Sequence, residues 1–346
     1  MDAHFILSKK KVFEQYNLLK NLGVKITYSI KTNKDVAQVL KATDSDFSVH
    51  NLKEAECISD VADEKKWFFS QAWNFDELKE IFRKGLRNFV VDNEADLKVL
   101  LDFIEKIKER INLALRMKFK ENRIHTGKYF VYGMSSNKVN EIISKLKNNE
   151  WIKSLGVHIH RKSQNTSEWT IKKELEDTLS SESLKVIKFV NLGGGYPVEY
   201  RNYIPEVLDY VFLRIKEVRT WLAEKGVELY LEPGRFIAAP CVNLTAEIIQ
   251  IYDNNIILNC SIYNSQLDSI LTDIRLKVEG ELKDEDKDGE YYLIKGCTPT
   301  RDDIFRYKVK LKNPKAEDKI VFLNAGAYNY TTEFCDLPKL KTLVVD

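Results

Sequence analysis

The sequence predicts an α/β fold, a closed (β/α)₈ TIM barrel followed by a smaller domain built from β-strands. Between residues 10 and 240, short apolar runs alternate eight times with longer amphipathic stretches, a pattern typical of parallel strands and the helices that connect them. Eight strand–helix units in roughly 230 residues are typical of a closed barrel. After residue 240 the helical pattern gives way to β-rich runs, which indicate a second domain.

The barrel strands are predicted from short runs rich in β-branched and aromatic residues, each followed by polar or glycine-containing segments. We expect strands at 26–30, 46–49, 67–70, 89–91, 113–117, 156–160, 189–192 and 229–232. Apolar residues at helical spacing fill the intervals between these runs. The spacing predicts helices at 36–41, 75–84, 94–108, 139–147, 170–179 and 204–225.

The remaining residues predict a mostly antiparallel β domain with only short helical pieces. Its expected strands are 242–252, 256–261, 291–294, 307–311, 319–323 and 340–345. The opening run 4–7 precedes the first barrel helix and is expected to join this sheet. We therefore predict a barrel domain at 10–240 and a β domain at 241–346 that includes residues 1–9.

Composition excludes several classes of partner. The 346 residues carry 54 basic and 52 acidic side chains, for a net charge of +2. This balance gives no reason to expect nucleic acid or an anionic membrane as a partner. Five cysteines without a CxxC pair indicate reduced thiols and a cytoplasmic location. We expect no signal peptide and no membrane span, because no apolar run is long enough.

Polar residues with recognisable chemistry lie at or just after the ends of several predicted strands. They are Lys31, Arg116, the Gly193-Gly194-Gly195 triplet and the segment Glu232-Pro233-Gly234-Arg235. In a barrel the carboxyl ends of the strands build the site, and phosphate often binds after strands seven and eight. The triplet follows the seventh predicted strand and Glu232 follows the eighth. One lysine, one acid, two arginines and a glycine turn suit a phosphate-bearing cofactor held as a Schiff base.

Each group near the predicted phosphate site also allows a simpler interpretation. The glycine triplet lets backbone N–H groups approach an anion, although glycine clusters also form ordinary tight turns. Arg235 can add a charge-assisted phosphate contact. The Glu232 carboxylate can pair with a protonated pyridine nitrogen and keep the ring a strong electron sink. Alternatively, it forms a buried ion pair with Arg235 or Arg116.

Two histidines alternate along the sixth predicted strand, so His158 and His160 face the same side. A metal site would need further ligands, and we therefore expect none. A flat imidazole stacked on a cofactor ring is the better interpretation of His160. Lys31 must lose its proton to form an imine, and desolvation beside Arg116 and Arg235 would lower its pKa.

These motifs together resemble the fold-type III pyridoxal-phosphate decarboxylases, a family that includes ornithine, arginine, diaminopimelate and carboxynorspermidine decarboxylases. Alanine racemase shares their barrel. The segment Tyr28-Ser29-Ile30-Lys31-Thr32-Asn33 resembles the family's Y-x-x-K-x-N around the cofactor lysine. The resemblance covers nearly the whole chain. It continues at 47–54, 156–160, 163–164, 192–195, 232–235 and 324–328.

The resemblance implies the cofactor pyridoxal 5'-phosphate and a role for each matching residue. Lys31 would be the Schiff-base lysine, His160 would stack on the pyridine ring, and Glu232 would bind the ring nitrogen. Arg116 would lie near the ring. The phosphate would be held by Ser163, Gly195, Gly234, Arg235 and Tyr328. The second domain would be a β-sandwich or barrel that completes the partner subunit's active site in a head-to-tail homodimer.

The substrate loop departs from the family's G-x-x-C-x-x-x-D. If Asp303 is the family acid, the position of the proton-donating cysteine is occupied by Pro299. Cys297 is the nearest cysteine and is our preferred proton donor, although a free cysteine is usually a small buried residue. Asp302 or Asp303 is expected to bind a distal ammonium of the substrate. Alternatively, these acids form loop salt bridges with Arg301 or Arg306.

Three further departures favour an unusual substrate. Ser48 stands where the family has an aspartate, Lys162 replaces a glycine, and 334–337 replaces the usual F-N-G-F. We expect α-decarboxylation of a diamino or carboxy-amine substrate, used in polyamine, siderophore or specialised-metabolite synthesis. A racemase of the same fold would need a second base such as Tyr263 or Tyr328. Glu232 counts against this alternative, since such racemases place an arginine at the ring nitrogen.

A third possibility is a catalytically silent, decarboxylase-like binding protein that regulates a partner. Such a protein could lose the lysine or the glycine triplet freely. Both are intact in this chain, which disfavours the silent interpretation.

Overall fold

The structure is a computed structural model that describes residues 2–119, 132–203, 206–329 and 331–346. The chain forms two compact units. The first, called the barrel unit below, comprises Asn17–Pro197 and Glu206–Gly234. The second, called the β unit, comprises Met1–Tyr16, Val198–Pro205 and Arg235–Asp346.

The chain begins with strand β1 (His4–Ser8), which leads directly into helix α1 (Lys9–Lys20). Strand β1 belongs to the β unit, as the sequence predicts, because it pairs with strands from the far end of the chain. Its Phe5 and Leu7 are almost completely buried.

The barrel unit contains a closed barrel of eight parallel strands within the described residues, which confirms the predicted α/β barrel. The strands are β2 (Lys25–Ser29), β3 (Asp46–Val49), β4 (Lys66–Phe68), β5 (Asn88–Val91), β6 (Ile111–Arg116), β7 (Ile152–His158), β8 (Phe189–Asn191) and β9 (Glu228–Leu231). Each strand pairs with the next, and β9 closes the ring on β2.

Helices connect the barrel strands. They are α2 (Lys34–Leu40), α3 (Leu52–Cys57), α4 (Phe75–Arg83), α5 (Glu94–Ile107), α6 (Ser136–Leu146), α7 (Ile171–Thr178), α8 (Ser181–Val186) and α9 (Leu208–Ala223). Asparagine caps the first turns of α2 to α5, where its side-chain oxygen accepts from backbone N–H groups. The predicted helix 204–225 begins at residues outside the described ranges, and α9 is its described part.

The barrel interior is filled by side chains rather than open. Trp67, Val90, Ala114, Phe189 and Tyr230 form a buried cluster contributed by five strands. The Trp67 and Phe189 rings meet edge to face with centroids 5.1 Å apart, a favourable arrangement for aromatic pairs. A packed interior leaves the strand ends to build a site.

The β unit holds helix α10 and an eight-stranded mixed sheet, counted over the described residues. Its elements are α10 (Arg235–Cys241), β10 (Val242–Tyr252), β11 (Asn255–Leu258), α11 (Ile262–Ser265), α12 (Asp268–Thr272), β12 (Lys277–Val278), β13 (Glu290–Lys295), β14 (Ile304–Leu311), β15 (Lys319–Leu323) and β16 (Lys341–Val345). The main path of the sheet runs β12-β15-β10-β11-β13-β14, and β1 links β10 to β16. The pairs β1–β16 and β11–β13 are parallel, and the other pairs are antiparallel.

The division between the units differs from the predicted one at residue 240. The β unit begins at Arg235, so that α10 belongs to it, and it also takes in the segment 198–205. Among the helices of the described ranges, none has the length and apolar character needed to cross a bilayer.

Candidate active site

Lys31 lies at the carboxyl end of β2, in a single 3₁₀ turn that separates the strand from α2. Two residues of its motif hold this turn. The buried Tyr28 hydroxyl donates to the Asn33 carbonyl at 3.0 Å, and the Asn33 side chain accepts from the N–H groups of Asp35 and Val36. The backbone on both sides of Lys31 is therefore anchored, while its side chain is exposed.

Glu232 and His158 form a buried pair at the same end of the barrel. His158 Nε2 lies 2.8 Å from Glu232 Oε2, and the two side chains are 1% and 9% exposed. Burial opposes the charge on Glu232, but the hydrogen bond and the nearby His158 ring outweigh it and lower the pKa of Glu232 to about 2. Burial also lowers the pKa of His158. The pair is thus a carboxylate with a neutral imidazole.

His160 follows β7 and is tied to the glycine triplet. The Gly194 N–H donates to His160 Nδ1 at 3.2 Å, so Nε2 carries the hydrogen of the neutral ring. The ring has an exposed face but sits among protein atoms near Arg116 and Lys31. The loss of water and these positive charges lower the pKa of His160. A neutral, partly exposed imidazole is suited to stack on a planar ligand.

The glycine triplet forms a close-packed turn. Its three backbone N–H groups differ in whether a protein acceptor already takes their hydrogen bond. Gly195 has φ +102°, and a Cβ there would lie 2.5 Å from the Lys162 carbonyl oxygen, so an L-residue does not fit. The N–H of Gly193 donates to Asn191 Oδ1 at 2.8 Å, and that of Gly194 donates to His160. The N–H groups of Gly193 and Gly194 are thus engaged with protein acceptors. Of the three N–H groups predicted to approach an anion, that of Gly195 is the remaining candidate.

Two other predicted phosphate residues lie near the chain segments just described. Gly234 packs so closely on Thr32, the neighbour of Lys31, that a Cβ on Gly234 would collide with the Thr32 hydroxyl. That hydroxyl is buried and has no hydrogen-bond partner among the described residues. Ser163 is exposed in a turn next to Gln164, which has φ +53°.

Arg116 ends strand β6 beside the histidines. Its Nη1 lies 2.7 Å from Asp92 Oδ1, and the two side chains are 13% and 4% exposed. The guanidinium also stands over the Phe69 and Tyr132 rings, at 5.3 and 5.0 Å from their centroids. The carboxylate partner of Arg116 is thus Asp92 rather than Glu232.

In the β unit, Arg235 begins α10 and makes a buried ion pair that the sequence did not predict. Its Nη1 lies 2.7 Å from Asp268 Oδ2 and 3.2 Å from the Tyr200 hydroxyl, and the guanidinium stands 5.0 Å from the centroid of the Tyr328 ring. Burial opposes the charge, but Tyr200 and Asp268 raise the pKa of Arg235. Arg235 and Tyr328 thus form one cluster with Asp268.

The loop after β13 separates its two acids. Asp303 is buried, and its carboxylate accepts from the Ile262 N–H at 2.9 Å and from the N–H and hydroxyl of Thr298 at 3.0 and 2.6 Å. Asp302 is exposed. Asp303 therefore holds the loop together, and Asp302 is the acid available to a ligand.

The surroundings of Arg306 and Cys297 bear on the alternative roles predicted for this loop. Arg306 pairs with Glu281 rather than with either acid, at 2.8 Å from its Nη2. Cys297 is exposed rather than a small buried residue. Partial burial and the charge of Asp303 raise the pKa of the Cys297 thiol. The thiol is therefore protonated at neutral pH, as a proton donor must be.

A cavity of about 460 Å³ lies within the β unit and includes Asp302 in its wall. Charged groups of both signs line it, namely Arg201, Arg275, Arg306, Lys308, Asp273, Asp284 and Asp302. Among these residues the sequence predicts a ligand-binding role only for Asp302, and it names Arg306 only as an alternative ion-pair partner. The others follow no strand-end pattern, so no signal in the sequence marks them.

The strand ends of the barrel unit hold a donor set that fits pyridoxal phosphate. A primary amine on Lys31 matches the aldehyde, and the ionised Glu232 matches a protonated ring nitrogen. His160 presents a neutral ring face, and the buried hydroxyl of Thr32 is a polar atom that no described residue hydrogen-bonds. This fit rests on the chemistry of side chains from separate strands, gathered at one end of the barrel.

Comparisons with known proteins agree. Residues 9–239 match the family described as "Pyridoxal-dependent decarboxylase, pyridoxal binding domain". The chain is 25% identical over 259 residues to diaminopimelate decarboxylase of Bacillus subtilis (strain 168), covering 68% of this chain and 58% of that protein. It is also 25% identical over 377 residues to carboxynorspermidine/carboxyspermidine decarboxylase of Campylobacter jejuni, covering 98% of this chain and 92% of that protein.

A solved structure shows the same fold. Diaminopimelate decarboxylase from Helicobacter pylori, complexed with L-lysine, has a TM-score of 0.84 with this chain and covers 100% of it. The match covers 92% of that chain, and the sequence identity is 18%. At this identity the likeness establishes the fold alone.

Fold and site together define a pyridoxal-phosphate protein built on a TIM barrel. The chain belongs to the pyridoxal-dependent decarboxylase family, since the matching residues make up more than half of it. This confirms the family resemblance and the cofactor predicted from the sequence. The relatives described above are decarboxylases, and none of them is a racemase.

Proposed function

We propose that the protein is a pyridoxal-phosphate-dependent carboxy-lyase that removes the α-carboxylate of an amino acid. The observation that carries this proposal is the buried, ionised Glu232 at the barrel end that also presents Lys31. When bound, pyridoxal phosphate supplies the electron sink for cleavage of the Cα–carboxylate bond. A carboxylate at the ring nitrogen favours the protonated ring, which is the form that withdraws electrons best.

The side chains of the barrel unit divide the remaining work. Lys31 supplies the amine for cofactor attachment, and its anchored turn limits the positions that this amine can take. His160 supports one face of the ring. The Gly195 N–H and the Ser163 hydroxyl are the candidate donors to phosphate, and Gly234 keeps the approach open. Arg116, held in an ion pair with Asp92, lies beside the ring.

Proton return to Cα requires an acid near the reacting carbon. Cys297 has a protonated thiol at neutral pH, because partial burial and Asp303 raise its pKa. Lys31 is the second candidate, since its ammonium can give up a proton. We assign this step to Cys297, supplied by the partner subunit as the family resemblance implies.

We infer a substrate with a charged distal group. The support is the exposed Asp302 and the cavity of the β unit, whose wall carries both acids and bases. An exposed carboxylate favours a distal ammonium, and arginine favours a distal carboxylate. Both diamino acids and carboxy-amines therefore belong in the substrate panel.

The substrate assignment has a paired test. Asp302→Asn should raise KM about tenfold for diamino acids, because it removes a charge-assisted contact, and should leave kcat within about twofold. Arg275→Gln on the cavity wall is the matched variant and should raise KM only for substrates with a distal carboxylate. Equal effects of both variants on every substrate would contradict the assignment.

We further propose a homodimer with shared active sites, as the resemblance implies. Light scattering on the purified protein measures the oligomeric state, and a monomer that is fully active would contradict the proposal. The cytoplasmic location and the lack of nucleic-acid and membrane partners stay predictions from composition.

The central experiment measures carbon dioxide release and cofactor absorbance together. The cofactor-loaded protein should release carbon dioxide from at least one member of the panel and show an absorbance band near the visible edge. Lys31→Ala should abolish both, whereas Lys34→Ala, a change of an exposed lysine three residues away, should affect neither. Racemisation without carbon dioxide release would indicate the racemase. An unaltered spectrum on cofactor addition would indicate the silent binding protein.

A further inference from the structure

We propose that His158 is a positioning residue, which holds Glu232 in the ionised form and in the single orientation needed at the cofactor ring nitrogen. This inference rests on the proposed function, and it adds a residue for which neither the sequence analysis nor the comparisons provide a role.

The geometry shows which atom of His158 carries the hydrogen. His158 Nε2 is 2.8 Å from Glu232 Oε2, while His158 Nδ1 is buried and has no hydrogen-bond partner among the described residues. A protonated ring would leave a buried N–H donor at Nδ1 unsatisfied, which is costly. The ring is therefore neutral, and its Nε2–H donates to the carboxylate.

The packing holds the imidazole in place. His158 ends strand β7 and Glu232 follows β9, so their hydrogen bond spans the intervening strand β8. The Phe69 ring meets the His158 ring edge to face, with centroids 5.3 Å apart. One oxygen of Glu232 is thus bonded to a buried donor that packs against Phe69, and this bond restricts the orientation of the carboxylate.

The surrounding charges are consistent with a neutral His158 and an ionised Glu232. The titratable and charged groups that act on the pair are His50, Arg116, Asp92, His160 and Tyr196. Arg116 is neutralised by Asp92, so it does not compete for Glu232. Loss of the His158 donor would leave a buried carboxylate with weaker support, and its pKa would rise.

Two variants separate the hydrogen bond from the packing. His158→Phe keeps an aromatic ring against Phe69 but removes the donor, and His158→Gln restores an N–H at a similar reach. We expect His158→Phe to lower kcat about tenfold or more, the size expected for a lost hydrogen bond to a charged group, with KM within about twofold. His158→Gln should recover to within about threefold of the native protein.

A spectroscopic readout tests the mechanism independently of activity. In the cofactor-loaded protein, the absorbance of the His158→Phe variant should change with pH between about 6 and 9 where the native spectrum is constant, because ring protonation is no longer enforced. Infrared difference spectra of the cofactor-free protein against Glu232→Gln should show Glu232 titrating at higher pH in His158→Phe than in the native protein.

The outcomes distinguish this inference from the proposed function. If Glu232→Gln is impaired but His158→Phe has native kcat and a native spectrum, the inference is wrong and the proposed function stands. If Glu232→Gln itself is fully active, the assignment of Glu232 fails. If His158→Phe does not fold, the His158→Gln variant decides. A native spectrum and a native kcat in His158→Gln support the role of His158 as a hydrogen-bond donor. A loss of kcat with a native spectrum in His158→Gln assigns His158 to packing.

Discussion

Lys31 owes its position to two neighbours rather than to a contact of its own. The Tyr28 hydroxyl and the Asn33 side chain anchor the turn on either side of it. The spacing of this motif predicts Lys31 as the cofactor lysine, and both anchors are local to it. The role of Tyr28 and Asn33 in the motif is thus to stabilise the backbone of the turn that carries Lys31.

Other residues show where sequence reasoning stops. Asp303 was predicted as one of two candidate acids for the substrate's distal ammonium, but it turns inward to the N–H groups of Ile262 and Thr298. Asp268 was not predicted at all, although it pairs with Arg235. Both depend on contacts across long stretches of chain, and a single sequence holds no record of such contacts.

The proposed proton donor gives a prediction at a single thiol. Cys297→Ala should lower kcat at least about tenfold, since proton transfer by a positioned acid contributes about 10² or more, and should leave cofactor absorbance unchanged. Cys335→Ala, which alters another exposed cysteine of the β unit, is the control and should keep native kcat. Steady-state carbon dioxide release measures both. Native kcat in Cys297→Ala would move the role to Lys31.

Asp46 gives a prediction about stability and pH. Burial raises its pKa to about 6, so the folded state binds a proton between pH 6 and 4 that the unfolded state does not, and ionised Asp46 destabilises the fold at higher pH. Asp46→Asn should therefore raise the free energy of unfolding by about 1 to 3 kcal/mol at pH 8. The gain should shrink as pH falls through 6 and vanish near pH 4.

Urea unfolding at a series of pH values measures this effect. Asp60→Asn is the matched control, because a hydrogen bond from Lys41 lowers the pKa of Asp60, and its removal should give no gain at pH 8. A gain for Asp46→Asn that is constant across pH would show that ionisation is not the cause.

At the scale of elements, long periodic segments were predictable and short ones were not. Strands β3, β10 and β15 match the predicted bounds, and the other predicted strands overlap the observed ones. Helices α11 and α12 have four and five residues and were missed. One turn of helix is too short to show a 3.6-residue period, so its stability comes from packing and caps.

The cap of α2 is expected to matter for more than helix stability. Asn33→Ala removes an oxygen that accepts from two N–H groups and should cost about 1 kcal/mol of unfolding free energy. It should also weaken cofactor binding severalfold, because the turn that carries Lys31 loses one anchor. Fluorescence titration with pyridoxal phosphate measures the affinity.

Asn74 provides the matched control for Asn33. It caps α4 with the same pattern, accepting from the N–H groups of Asp76 and Glu77. Asn74→Ala should lower stability by a similar amount without changing cofactor affinity. If both variants bind the cofactor equally well, the anchoring role of Asn33 is wrong.

The glycine triplet allows a comparison of two positive-φ glycines. Gly195→Ala combines φ +102° with a Cβ 2.5 Å from the Lys162 carbonyl oxygen, and should cost more than about 2 kcal/mol. Gly226→Ala has φ +69° with nothing within 4 Å, and should cost about 1 kcal/mol. Only Gly195→Ala should abolish cofactor binding, as measured by absorbance and by urea unfolding. Equal costs would show that the close approach at Gly195 is unimportant.

At the scale of the whole molecule, the sequence predicted two domains but not the interleaving of their segments. The segment 198–205 sits between barrel elements in the chain but belongs to the β unit. The Tyr200 hydroxyl accepts a hydrogen bond from Arg235, and Asn202 Oδ1 accepts one from the Arg275 N–H at 3.0 Å. No shift in composition marks this excursion, so only the folded chain reveals it.

If each active site is built from both subunits, two different defective variants should restore activity when they are mixed in one dimer. Lys31→Ala subunits, which are inactive alone, and Cys297→Ala subunits, which are strongly impaired, should together regain about a quarter of native activity after random mixing, since half of the dimers contain one site free of both changes. Carbon dioxide release from co-expressed, tagged subunits measures this. As a control, Lys31→Ala mixed with Glu232→Gln should regain nothing, because both changes lie in the barrel unit. No recovery in the first mixture would contradict shared sites.

Asp303 holds its loop from the inside, through the main chain of Ile262 and both polar groups of Thr298. The side chains of Pro299 and Arg301, between Thr298 and Asp303, are exposed on the outside of this loop. Because the buried carboxylate supplies the hydrogen bonds within the loop, we expect both positions to accept substitutions while the loop keeps its conformation.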